Sequence, residues 1–171
     1  MDLPPWVGQT FTLSLTLSYW RQLGLAFLLG SFAVATWSDL KRLSAQREFV
    51  EIWLLFVLAI LAFEVYHFYQ GEGEAKPAAH SAGVKWGLIA LLSLLSLRRV
   101  GVLFALAPAD VAALAAAASL LPPLHVILFY AVAKLLALVL GPVLMRGRPV
   151  WPFMPVVSLA TLAILALGWW S

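Results

Sequence analysis

The sequence contains no cysteine and little charge. Without cysteine, disulfides, thiolate metal sites and a cysteine nucleophile are excluded. Charged residues make up 11% of the 171 positions and hydrophobic residues 63%, which is far from the balance of a soluble domain. A bilayer core of roughly 30 Å needs about 20 apolar residues per helix, and most of the chain divides into such runs. The composition therefore predicts an integral membrane protein and gives no support to nucleic-acid binding.

The apolar runs predict an all-α membrane protein with a single polytopic domain over residues 1–171. We expect a bundle of six transmembrane helices, because six runs are long enough and no internal repeat or linker divides them. The predicted spans are Ser18–Trp37, Phe49–Tyr69, Ala78–Leu97, Val100–Leu121, Leu124–Met145 and Val150–Trp170.

Basic residues indicate the orientation of this bundle, since Lys and Arg in short loops are retained on the cytoplasmic side. Those that follow the first, third and fifth spans are Lys41, Arg42, Arg47, Arg98, Arg99, Arg146 and Arg148. The loops on the other side carry Lys76 and Lys85, which Glu72 and Glu74 offset. Both termini are therefore predicted to lie outside the cell membrane.

The fourth span contains a carboxylate, Asp110, in an otherwise apolar run. Pro108 suits the first turn of a helix, and the alanine-rich run after it favours helix. A helix from there to Leu121 has about 14 residues and about 21 Å of length, which is too short to cross. The preceding "GVLFALA" is therefore predicted to enter the membrane as non-helical chain, beside protein or water. An ionisable group in such a place is a candidate functional residue.

A second acid, Asp39, follows the first span on the same predicted side. If the two carboxylates approach closely, repulsion and desolvation keep one of them protonated, which supplies a general acid and a general base. That is the arrangement of an aspartyl protease. The alternatives are an ordinary loop charge for Asp39, beside Lys41 and Arg42, and a structural pair with Lys134 for Asp110.

Three short motifs in this order carry a family resemblance. They are "SDLKR" after the first span, "APAD" at the start of the alanine-rich helix, and "RGRPVWPFMP" at the start of the last span. The chain resembles the type IV prepilin and preflagellin peptidases, in particular their archaeal single-domain form. The resemblance implies that Asp39 and Asp110 are catalytic, and that Pro152, Phe153 and Pro155 form the family's segment near the substrate.

The resemblance also implies a function. Such enzymes remove a short basic leader from membrane-anchored pilin-like or flagellin-like precursors at the cytoplasmic face of the cell membrane. Glu48 and Glu51 are candidates for attracting the basic leader, and their alternative role is to partner Arg47 at the start of a solvated helix. The family's Gly-x-Gly-Asp glycines are replaced by Ala107 and Ala109. The chain also lacks the cysteine-rich insert of the larger bacterial enzymes, so methyltransferase activity is not predicted.

No metal or other cofactor is expected. The three histidines, His67, His80 and His125, are too scattered in the sequence for a metal site, and surface or interfacial positions are expected for them. Lys134 is a candidate for a structural charge pair, with Glu64 or Asp110 as its partner. An alternative function rests on that residue: a small transporter or non-catalytic membrane subunit with a buried Asp110–Lys134 pair.

Overall fold

The protein is a bundle of helices around one short central helix. The structure is a computed structural model, and it describes residues 17–42, 47–70, 75–145 and 152–170. These residues form six helices, and no strand longer than a single bridge occurs among them. The helices are α1 (Tyr19–Arg42), α2 (Arg47–Gln70), α3 (Ala75–Ser96), α4 (Pro108–Ser119), α5 (Pro123–Leu144) and α6 (Met154–Trp170).

Three of the helices, α1, α2 and α5, are long and apolar enough to cross a membrane. The helices confirm the predicted all-α class for the described residues, and the three long apolar ones support the predicted membrane character. Large apolar side chains on their outer surfaces are exposed, among them Leu55, Phe63 and Leu138. Such surfaces are stable in lipid, where helices satisfy their own backbone hydrogen bonds. The predicted basic positions Arg146 and Arg148 lie outside the described residues.

The short helix α4 lies at the centre of the bundle. It has 12 residues and begins at Pro108, which confirms the start predicted from the sequence. At about 1.5 Å per residue it is roughly 18 Å long. It packs against all five other helices, and every residue from Val111 to Ser119 except Ala115 is buried. A helix that is apolar on all sides is expected in a core, and alanine side chains allow neighbouring helices to come close.

Residues 97–107, which we call the α3–α4 loop, are non-helical, and this confirms the non-helical chain predicted for residues 101–107. A parallel bridge joins Leu97 to Leu106. The amides of Leu103 and Leu106 donate to the carbonyls of Leu95 and Ser96 at 3.0 and 2.7 Å. The loop therefore satisfies part of its backbone at the end of α3, which meets the requirement for irregular chain away from water.

Two residues of this loop have left-handed backbone. Gly101 has φ +65°, and Ala105 has φ 61°. Glycine adopts that region freely, whereas alanine does so at a cost. The surrounding loop therefore holds Ala105 in its conformation.

Helices α1 and α6 pack side by side and antiparallel. At one end the Gln22 amide donates to the carbonyl of Gly168 at 3.2 Å. Nearer the other end the hydroxyls of Thr36 and Ser158 share a hydrogen bond of 2.7 Å. This pairing places the end of α1 beside the start of α6.

The structure corrects the sequence-based placement of Lys85 as a loop charge. Lys85 lies within α3 with only 3% of its surface exposed, and its ammonium forms an ion pair with Glu64 on α2. The same ammonium donates to the carbonyl of Ser119 at 3.0 Å, while the Trp86 indole donates to Glu64 at 2.8 Å. A positive charge thus lies at the carboxyl end of α4, where the helix dipole favours it.

Candidate active site

The end of α1, the start of α4 and the start of α6 meet at one place in the bundle. Asp39, near the end of α1, is buried, with 7% of its surface exposed. Its Oδ2 accepts a hydrogen bond of 3.2 Å from the backbone N–H of Met154, which is 115 positions away in the chain. The contact joins the first described helix to the last.

The Met154 amide needs such a partner because it belongs to the first turn of α6. The amides of Val156 and Val157 donate to the carbonyl of Phe153, and Pro155 has no amide hydrogen. The first amides of a helix have no partner within it. The Asp39 carboxylate is the hydrogen-bond partner of the Met154 amide. Its negative charge lies at the amino-terminal end of α6, where the helix dipole favours an anion. Asp39 is therefore not an isolated loop charge.

Asp110 lies in a similar position on α4. Ala107 is the cap residue and offers no side-chain hydrogen bond, and Asp110 falls in the first turn. Its carboxylate is hydrogen-bonded to the backbone of Ala107, which is the return half of a capping box. The start of α4 therefore also has a carboxylate at the positive end of its dipole.

The two carboxylates interact electrostatically with each other. The structure therefore brings together the two acids that the sequence analysis singled out. Asp39 is buried, whereas Asp110 is half-buried. Like charges close together disfavour double ionisation, and the two helix starts favour one retained negative charge.

Residues at the start of α6 and just before it adjoin the Met154 amide that is bonded to Asp39. Pro152 and Phe153 are buried and Pro155 is half-buried. The Phe153 ring has 1% of its surface exposed and lies edge-on to Phe104 of the α3–α4 loop, with 5.3 Å between ring centroids. Phe153 therefore supports the site by packing, and Pro155 is the more accessible residue of this segment.

Glu48 and Glu51 are both exposed on the first part of α2. Since α2 follows α1 in the chain after residues 43–46, both glutamates lie near the end of the helix pair where Asp39 is found.

The structure gives Lys134 a backbone partner. Its ammonium donates a hydrogen bond to the carbonyl of Leu103 and lies 5.2 Å from the centroid of the Phe104 ring. Among the described residues, the acid that the sequence analysis considered for it, Glu64, is paired with Lys85 instead. No ion pair joins Lys134 to Asp110 in the part of the chain that the structure describes.

Sequence reasoning missed these two lysine environments because each depends on tertiary packing. The only local signal was a basic residue within an apolar run, which indicates burial or snorkelling without naming a partner. The choice between Glu64 and a backbone carbonyl depends on the packing of other helices against each lysine.

The histidines show no metal arrangement. His67 and His80 are exposed, whereas His125 is buried with 4% of its surface exposed, so the expectation of a surface position is wrong for it. Pro123 and Val126 beside it are also buried, which places the start of α5 inside the bundle. Within the described residues, no three acidic or histidine side chains are grouped to hold a metal ion.

Comparison of the chain with protein-family models, characterised proteins and solved structures found no match.

Proposed function

We propose that this protein is a membrane-embedded aspartyl endopeptidase that removes the short basic leader of prepilin- or preflagellin-like precursors. The observation that carries the proposal is the meeting of Asp39 and Asp110, from two different helices, within electrostatic range. Each carboxylate also lies at the start of a helix and is bonded to a backbone amide there. This arrangement supports a dyad that is preorganised and only partly shielded from water.

The chemistry follows from one proton shared by two carboxylates. The ionised member takes a proton from water, and the resulting hydroxide attacks the scissile carbonyl carbon. The protonated member donates its proton to the carbonyl oxygen, so that a neutral tetrahedral intermediate forms. The second carboxylate, now ionised, then takes a proton from one hydroxyl of the intermediate while the C–N bond breaks and the nitrogen takes up the proton that came from water, which leaves the dyad with one proton again. No metal or cofactor is required.

The proposed topology places this dyad at the cytoplasmic face of a cell membrane, with six spans and both termini outside. Exposed Arg98 and Arg99 follow α3, at the same proposed side as the end of α1. Retention of such residues in the cytoplasm supports the orientation. A precursor helix in the membrane would then present its leader junction to Asp39 and Asp110.

Cleavage of a precursor by the purified full-length protein tests the proposal. The substrate is a pilin-like precursor with a lysine-rich leader in the same detergent micelles or lipid discs. We expect cleavage by the wild type and a loss of at least about 10³-fold in both Asp39→Asn and Asp110→Asn, as for removal of a member of a catalytic unit. Cleavage retained in either variant contradicts the dyad.

The two exposed glutamates are proposed to attract the leader. Reversing both charges, in Glu48→Lys with Glu51→Lys, is expected to raise KM for a lysine-rich leader about tenfold while kcat stays nearly constant, because uniform binding is lost. A substrate with a neutral leader is the control and should not respond. An unchanged KM for the basic leader would remove these residues from the binding site.

The alternative, a small transporter or non-catalytic subunit, requires a buried pair between Asp110 and Lys134. The Lys134 ammonium is bonded to the Leu103 carbonyl, so this specific requirement finds no support in the arrangement of the described residues. The variants above separate the two functions, since a transporter tolerates Asp39→Asn.

A further inference from the structure

Lys134 is a cation near the candidate site that the proposed reaction does not use. Its half-buried side chain reaches from the middle of α5 to the α3–α4 loop. There it donates to the Leu103 carbonyl and lies over the Phe104 ring. Lys85, which is buried on α3, has a carboxylate partner instead. Lys134 thus directs its charge to the loop, with a carbonyl and an aromatic face as its partners.

The backbone of the loop is otherwise held mainly from α3. The amides of Leu103 and Leu106 bond to carbonyls of α3, and Arg98 and Gly101 bond within the loop. The hydrogen bond from Lys134 joins the loop to α5 instead. Leu103 is therefore bonded to α3 through its amide and to α5 through its carbonyl.

The α3–α4 loop touches Asp110 directly and is linked to Asp39 through the start of α6. Phe104 packs on Phe153, which precedes the Met154 amide bonded to Asp39. A few residues later the loop reaches Ala107, whose backbone is bonded to Asp110. A displacement of the loop would thus disturb the surroundings of both carboxylates at once.

We propose that Lys134 is a positioning residue that clamps the α3–α4 loop to α5 and thereby keeps Asp39 and Asp110 aligned. The clamp itself is a statement about the fold, whereas its effect on cleavage rests on the proposed function. The ring contact requires a cation and the carbonyl bond requires a donor; methionine supplies neither, so Lys134→Met removes the clamp. Arginine keeps the charge with a different geometry.

Hydrogen exchange of the full-length protein in micelles tests the clamp, with mass spectrometry of peptides that cover residues 97–107. In Lys134→Met we expect exchange of the loop amides to accelerate about tenfold or more, because a charge-assisted hydrogen bond is lost. In Lys134→Arg it should return at least halfway to the wild-type rate. Lys85→Met is the matched control, and it should accelerate exchange near the carboxyl end of α4 and not in the loop.

Two exchange results would overturn the clamp. One is a loop in Lys134→Met that exchanges at the wild-type rate. The other is equal acceleration of the loop in Lys85→Met, which would mean that the loop responds to general destabilisation alone.

Cleavage kinetics test the effect on alignment. We expect kcat to fall about tenfold in Lys134→Met with KM nearly unchanged, and to recover in part in Lys134→Arg. A loosened loop with an unchanged kcat would overturn the positioning role. If the wild-type protein cleaves no precursor, the proposed function fails, and the exchange data still decide whether the clamp exists.

Discussion

At each end of α4 a charged side chain lies where the helix dipole favours its sign, but its charged neighbour has the opposite sign at one end and the same sign at the other. At its carboxyl end the Lys85 ammonium meets the carbonyl of Ser119 and is neutralised by Glu64. At its amino end Asp110 meets the backbone of Ala107, and its charged neighbour is another acid, Asp39. One end thus combines opposite charges, whereas the other concentrates like charges. The first end therefore suits a role in stability, and the second is the end to which the proposed function assigns reactivity.

Neutralising Asp110 at the amino end of α4 should have a large effect on cleavage and a small effect on stability. Asp110→Asn retains the shape of the side chain but removes the repulsion with Asp39, while it loses a favourable dipole interaction of similar size, about 0.3–1 kcal/mol. We therefore expect cleavage to disappear while the free energy of unfolding changes by less than about 1 kcal/mol. Unfolding in mixed micelles with increasing dodecyl sulfate measures the second quantity. A large loss of stability would instead identify Asp110 as a structural capping residue.

Removing the Lys85–Glu64 ion pair at the carboxyl end of α4 should instead lower the free energy of unfolding. Lys85→Met leaves Glu64 without its counter-charge and Ser119 without its donor. The Glu64 side chain is 26% exposed, so the expected loss is about 2–3 kcal/mol, near the lower limit for a broken buried pair. The double variant Lys85→Met with Glu64→Gln should recover at least half of this loss in the same unfolding assay. A loss in the double variant equal to that in the single one would show that the ion pair is not the cause.

The amino end of α4 also differs from the Gly-x-Gly-Asp motif of the peptidases that the sequence resembles, because Ala107 replaces a glycine. We expect this replacement to have the smallest effect. Ala107 has φ −68° and ψ 154°, which alanine adopts without strain, and its side chain is exposed. We expect Ala107→Gly to change the cleavage rate by less than about twofold and to cost about 0.4–1 kcal/mol through the flexibility of the unfolded chain. Rate measurement with the wild-type substrate checks this. An increase of tenfold or more would mean that substrate binding needs a closer approach to the backbone.

The sequence predicted those parts of the fold that depend on local chemistry. Long apolar runs predicted the helices, and the proline with the alanine-rich run after it predicted the start of α4 at Pro108. The non-helical α3–α4 loop followed from the short length of that helix. The pairing of Asp39 with Asp110 came from the expected topology and the family resemblance, since spacing alone does not bring two distant residues together.

Other features depend on tertiary contacts that leave no local pattern. The bond from the Met154 amide to Asp39 joins distant parts of the chain, and any residue except proline has such an amide. The burial of Lys85 and of His125 depends on neighbouring helices, because a polar side chain in an apolar run can either reach the interface or find a partner inside. Packing of the neighbouring helices placed both Lys85 and His125 inside the bundle.

The pattern of helix contacts has a consequence for the synthesis of the protein. Helix α1 packs mainly against α6, and α2 packs mainly against α4, so the earliest helices find their principal neighbours among later ones. The main contacts of α1 can therefore form only after α6 has been synthesised. Tertiary packing around α1 is consequently a late event that requires α6.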